Sequence, residues 1–154
     1  MKLQKATRYG LYAVLELARD PERQISATDI AGRYGISTNH LAKVMRDLGR
    51  AGLVEAARGA SGGYRFIGNP RRITLLDIVR LFEDIEGNGS SAKEPGEDTD
   101  IGAALDLVLS EIDDIARATL SAVTLSTLLK TMQWRDERTQ RLRARSLASS
   151  ADRI

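Results

Sequence analysis

The chain contains no cysteine and a single histidine, His40. The first absence excludes disulfides, thiol chemistry and cysteine-held metal clusters. The second excludes a multi-histidine metal site. No run of about 18 apolar residues is present, so no membrane span is expected. The opening Met1-Lys2-Leu3-Gln4-Lys5 is not followed by the apolar core of a signal peptide. A cytoplasmic location is therefore expected. A phosphate-loop motif is also missing, as is a carboxylate pair that could be placed in a cleft. The sequence therefore does not read as an enzyme.

What the sequence does contain is 42% apolar and 29% charged residues, the balance of a helix-rich protein with a real core. The net charge of +2 is unevenly spread. Residues 1–82 carry fourteen Lys/Arg against seven Asp/Glu, residues 83–132 carry three against eleven, and residues 133–154 carry six against three. A basic front, an acidic middle and a basic tail imply different tasks, the front pointing to a polyanion.

Apolar positions at Leu11, Val14, Leu15, Leu17 and Ala18, with Tyr9 and Tyr12 one turn back, predict a helix over Lys5–Arg19 that stops at Asp20-Pro21. Ser26-Ala27-Thr28-Asp29 reads as a capping box opening a short helix to Tyr34. Gly35 breaks the chain, and Ser37 caps a third helix to Ala51 with Leu41, Val44, Met45 and Leu48 inward. Leu53–Ala57 and Tyr64–Ile67 are strand candidates joined by the glycine-rich turn Arg58–Gly63. Thr74-Leu75-Leu76-Asp77 is a second capping box, opening a helix expected to run through Ile85. Residues 87–99 read as a flexible acidic loop, after which Asp98, Thr99 or Asp100 caps a long helix. A last short helix is expected over Leu125–Met132, and a basic, disordered tail over 133–154.

Two short helices around a glycine turn form a helix-turn-helix, and its physical demands meet in one window. Ala31 lets the helices approach, Gly35 tolerates positive φ, and Ile30, Ile36, Leu41 and Val44 close the space between them. A hairpin directly after the third helix is the winged arrangement. The front of helix three then faces a major groove through Ser37, Thr38, Asn39, His40, Lys43 and Arg46. Asn39 suits an adenine edge, while Lys43 and Arg46 suit phosphates, as do Lys2, Lys5 and Arg8 from the first helix. On the wing, Arg58 can enter a minor groove, and Gly59, Ser61 and Gly62 let backbone approach phosphate.

These stretches resemble the Rrf2 family of bacterial winged-helix regulators, which includes an iron–sulfur-cluster regulator, a nitric-oxide-sensing repressor and a regulator of cysteine metabolism. The resemblance is carried by Met1-Lys2-Leu3, Thr7-Arg8-Tyr9, Ala13–Ala18, Ile30-Ala31, Tyr34–Ser37, His40–Val44, Leu48 and Ala51–Val54. It continues through Arg58-Gly59-Ala60-Ser61-Gly62-Gly63-Tyr64, Ile73–Val79 and Thr124-Leu125. It covers residues 1–132 and is strongest over the first 86. It implies a homodimer on a pseudo-palindromic operator, with Ser37, Asn39, Lys43 and Arg58 at positions that touch DNA. Sensing members hold an iron–sulfur cluster on cysteines in the loop that is Glu86–Asp100 here, and this loop has none. Either this is a member without a cluster, or cysteines have been replaced, with Ser90, Ser91 and Ala92 the places to look. No cofactor is expected, and the carboxylates of that loop read as a solvated acidic segment.

Ile101, Leu105, Val108, Ile112 and Ile115 step by four and three, a heptad seam, while Leu107, Leu109, Ala116, Leu120 and Val123 are apolar off it. One face is expected to pack on its own domain and the other on a symmetry mate. The fold expected is mainly α with a small β-hairpin wing. It comprises a winged helix-turn-helix domain over 1–86, the loop 87–99, a dimerisation segment over 100–132 and the tail 133–154. The expected function is a DNA-binding transcriptional regulator, most often a repressor, acting on double-stranded DNA as a homodimer. A winged-helix protein-interaction module is the alternative. The switching signal stays open between a small molecule, a protein partner and no effector.

Overall fold

The structure is a computed structural model that describes residues 2–59, 62–85 and 95–151, with side chains to residue 144. Helix α1 spans Lys5–Ala18, α2 Ala27–Tyr34 and α3 Thr38–Arg50. Strands β1 (Val54–Ala57) and β2 (Gly63–Phe66) follow, then α4 (Leu75–Val79), α5 (Asp100–Ala122) and α6 (Leu125–Ala151). The helix-turn-helix and the hairpin lie where the sequence predicts them.

Local chemistry sets the boundaries. Ser26 Oγ accepts from the Asp29 amide at 3.0 Å and starts α2. The Asp29 side chain makes no return bond, so only half of the expected box is present there. At α4 the box is complete: Thr74 Oγ1 accepts from the Asp77 amide, and Asp77 Oδ2 accepts from the Thr74 amide at 2.8 Å. α2 ends on Gly35 at φ 64°, where a side chain would strain the backbone. α3 ends on Gly52 at φ 72°, with the Leu53 amide returning to the Leu48 carbonyl at 3.1 Å.

The strands pair antiparallel with Glu55 opposite Arg65 and Ala56 opposite Tyr64. Ile25 adds a third rung, exchanging backbone hydrogen bonds with Tyr64 at 2.9 and 3.0 Å. The hairpin is therefore stitched to the segment between α1 and α2. Beneath it lies one core built from Ala13, Val14 and Leu17 of α1, Ile30 and Ala31 of α2, Leu41, Val44, Met45 and Leu48 of α3, Val54, Phe66, Ile78 and Leu125. Leu125 comes from α6, so the C-terminal part of the chain shares this core with the winged domain.

The structure corrects three sequence expectations. α4 does not run to Ile85. It stops at Val79 and the chain tightens through short turns. The cause is long-range. The Phe82 ring lies over Gly10 of α1, and Glu83 Oε1 accepts from the Gln4 amide at 2.7 Å and from Thr7 Oγ1, which supplies acceptors to the open start of α1. α5, capped by Thr99 through the Gly102 amide, buries no residue of its own. It leans on α4 through its C-terminal half, where Ala116, Arg117 and Leu120 are half-buried, and its seam is solvent-exposed. Its expected packing on its own domain is limited to that end. Lastly, α6 does not stop at Met132 but continues to Ala151, where a disordered tail was expected. Residues 126–151 hold no glycine or proline, and their many Arg, Leu and Ala residues favour helix.

The α5–α6 junction is fastened to the chain before α4. The Leu75 amide donates to the Val123 carbonyl at 2.9 Å, the Leu125 amide to Ile73 at 2.9 Å and the Ser126 amide to Pro70 at 2.8 Å. The α1–α4 contact gives a stability test. A Cβ at Gly10 would stand 2.5 Å from Phe82 Cε2, so Gly10→Ala must push the ring aside. Its expected cost is about 1–3 kcal/mol in urea melts; an unchanged midpoint would show that the ring yields freely.

Candidate nucleic-acid interface

α3 is strongly two-sided. Leu41, Val44, Met45 and Leu48 are buried against the core. The opposite side is left to Asn39, Lys43, Arg46 and Arg50, spaced by four, three and four, and all exposed. Lys43 and Arg46 have no ion-pair partner among the described residues; Arg50 meets Asp47 at 3.8 Å. A row of amide and cation side chains on the outer face of the second helix of a helix-turn-helix matches the chemistry of base edges and phosphates.

The other residues singled out on this helix are arranged differently. Thr38 opens α3 and is exposed. Ser37 is the cap, its Oγ accepting from the His40 amide at 3.2 Å, so its hydroxyl already has a structural task. His40 turns toward α1, where its ring meets Tyr9 edge-on at 5.1 Å. Arg8, beside Tyr9, is exposed on α1. On the wing, Arg58 and Gly59 are exposed, and Gly62 closes the tip at φ 42°, its amide donating to the Gly59 carbonyl at 3.2 Å. Arg58 has no ion-pair partner among the described residues. Ser61 lies outside the described residues. Arg65 is paired with Glu55 across the hairpin stem.

A buried carboxylate holds α2 in place behind α3. Glu16 of α1 is 7% exposed, and its two oxygens accept from different residues of α2: Oε1 from Arg33 Nη1 at 2.6 Å and Oε2 from the Tyr34 hydroxyl at 2.5 Å. Tyr12 stacks on Tyr34 with ring centroids 4.9 Å apart. Burial, then the bond to Glu16, raises the Tyr34 hydroxyl from 10.0 to about 12. The brace ends one residue before the Gly35 turn. Sequence reading missed it because Glu16 and its partners lie 17 and 18 positions apart on different helices, beyond any local pattern. Arg50 was also missed, although its spacing from Asn39 and Lys43 was available.

The Rrf2 family, described as an iron-dependent transcriptional regulator, matches residues 3–131. The chain is 54% identical over 142 residues to the HTH-type transcriptional regulator BadM of Rhodopseudomonas palustris, covering 92% of this chain and 89% of that protein. It is 39% identical over 85 residues to the HTH-type transcriptional regulator NsrR of Shouchella clausii, covering 54% and 57%. Among solved structures it is similar to CymR, the global cysteine regulator of B. subtilis. There the TM-score is 0.69 at 33% identity, covering 85% of this chain and 98% of the other. IscR of T. potens gives a TM-score of 0.63 at 31% identity, covering 86% and 88%.

The family description raises iron, and the residues here do not fit a cysteine-held cluster. The chain has no cysteine, and its one histidine packs on Tyr9. Among the described residues no three His, Cys, Asp or Glu side chains converge on one point.

The brace makes an alkaline prediction. An unfolded Tyr34 ionises near 10, while the folded one keeps its proton to about 12. The unfolded state therefore binds fewer protons across that window, and the brace's stabilisation, complete below pH 10, is lost as pH rises toward 12. Denaturant melts of Tyr34→Phe should show a shallower alkaline loss than the parent; parallel curves would mean that Tyr34 carries none of it.

Proposed function

The chain belongs to the Rrf2 family of transcriptional regulators, and from that premise we propose that it binds a pseudo-palindromic operator as a homodimer and represses by occluding a promoter. It is a regulator and not an enzyme. The observation that carries the DNA reading is the outward row Asn39, Lys43 and Arg46 on α3, with Arg58 on the wing lacking an ion-pair partner among the described residues. In this reading Asn39 and Thr38 meet base edges, and Lys43, Arg46, Arg50 and Arg8 hold phosphates. Arg58 enters the minor groove, with Gly59, Ser61 and Gly62 letting the wing approach. Ser37 acts by fixing the first turn of α3. Location in the cytoplasm accords with this, and no described helix is long and apolar enough to cross a membrane.

The homodimer reading rests on α5. Ile101, Leu105, Val108, Ile112 and Ile115 form a continuous seam, each at least 55% exposed in the single chain. Such a stripe is buried when two copies cross, and a two-fold axis then sets two α3 helices about 34 Å apart, one turn of DNA. The reading includes no iron–sulfur cluster and leaves the effector unassigned. A winged-helix module that binds protein is the second reading, because the same exposed row could face a carboxylate surface.

Selection of bound duplexes from a random library separates the two. An inverted repeat is expected, with affinity falling steeply with salt. Asn39→Ala should relax one base position in each half-site by about 1–3 kcal/mol, and Lys43→Ala should weaken all sequences alike and lower the salt slope by about 1. A folded dimer that enriches no sequence at low salt would overturn the DNA reading.

A further inference from the structure

We propose that α6 beyond Met132 is a docking surface for a second copy of this chain, seated on the acidic flank of that copy's α5, beside the apolar seam. This rests on the homodimer reading and adds a contact that the seam does not provide.

The family match ends at residue 131, yet the helix runs to Ala151. On this extension Trp134 is 72% and Leu142 57% exposed. Eight positions apart, they share a face with Arg138 and Arg141 between them. Trp134, Glu137, Arg138 and Arg141 line a shallow groove of about 370 Å³. Arg138 has no ion-pair partner among the described residues, and Arg141 reaches only Glu137, at 3.8 Å. Arg19 of α1 meets Asp136 of α6 at 3.4 Å.

α5 offers the complement. Asp106, Leu109 and Asp113 fall on one face at steps of three and four, adjoining the seam. All three are exposed, and neither carboxylate has an ion-pair partner among the described residues. Both stripes mix apolar groups with charge, and the signs are opposite. Within one chain they do not meet: α5 lies on α4, α6 lies on α1, and no ion pair among the described residues joins α5 to α6. Duplex phosphate would satisfy the arginines but leave the indole and Leu142 in water. The α5 flank of a second copy covers both kinds of group, and two-fold symmetry forms the contact twice.

Trp134 is the only tryptophan in the chain, so its emission reports this surface directly. The full chain is diluted through its dimerisation range and followed by fluorescence and sedimentation together. The expected result is a blue shift that tracks dimer formation. Arg138→Glu with Arg141→Glu should abolish the shift and weaken the dimer about tenfold or more, and Asp106→Arg with Asp113→Arg in the same chain should restore both. Because the parent has no cysteine, chains carrying Arg138→Cys mixed with chains carrying Asp113→Cys should form a disulfide-linked pair. A dimer with unshifted emission and no such link overturns the proposal and leaves the dimer reading standing. Emission that responds only to added duplex overturns it in favour of nucleic acid. A chain that stays monomeric overturns the dimer reading and this contact with it.

Discussion

Burial of one stripe of α3 against α1 is the constraint from which the rest of the molecule follows. Leu41, Val44, Met45 and Leu48 go into the core, and the helical period then leaves Asn39, Lys43, Arg46 and Arg50 facing outward. The outward row needs no further device to be presented; it is the geometric remainder of the buried one. α1 is the platform for this arrangement. It packs on α2, α3, α4, β2 and α6, and each of its neighbours fixes part of the surface. Glu16 ties down α2, Tyr9 meets His40 at the front of α3, and Thr7 donates to Glu83 from beyond α4.

What could be read in the sequence was what is local. The capping residues Ser26, Ser37 and Thr74 each make the predicted bond to the amide three residues on, because a cap needs only its own helix. The glycine turn at Gly35 and the presence of the hairpin follow from equally short-range rules. Two of the failures share one cause, contacts between residues far apart in the chain. α4 ends early because Phe82 and Glu83 are drawn to α1, across more than seventy positions. The Glu16 brace was invisible for the same reason. α6 differs: its arginine-rich stretch has few apolar residues, which suggests disorder, yet no glycine or proline interrupts it and arginine, leucine and alanine favour helix.

The family's description and this chain's chemistry part company at one place. The winged domain carries every element the family resemblance implies, while a cysteine ligand set is absent from the sequence. The proposed DNA surface consists of the α3 row and the wing, with the Glu16 brace behind them, and none of these holds a cysteine. The proposed DNA surface therefore uses no residue that could belong to a cysteine-held cluster.

The elbow between α5 and α6 has a mechanical side. Three backbone hydrogen bonds clamp Val123, Leu125 and Ser126 to the chain from Pro70 to Leu75, and Leu125 is wholly enclosed. Only the C-terminal half of α5 leans on the winged domain, through α4, so the N-terminal end of this helix, about 35 Å long, stands away from it. A tilt of about 5° at the clamp sweeps its free end through about 3 Å. The same clamp grips the residues that leave the wing, so α5 and the root of the hairpin share one backbone anchor.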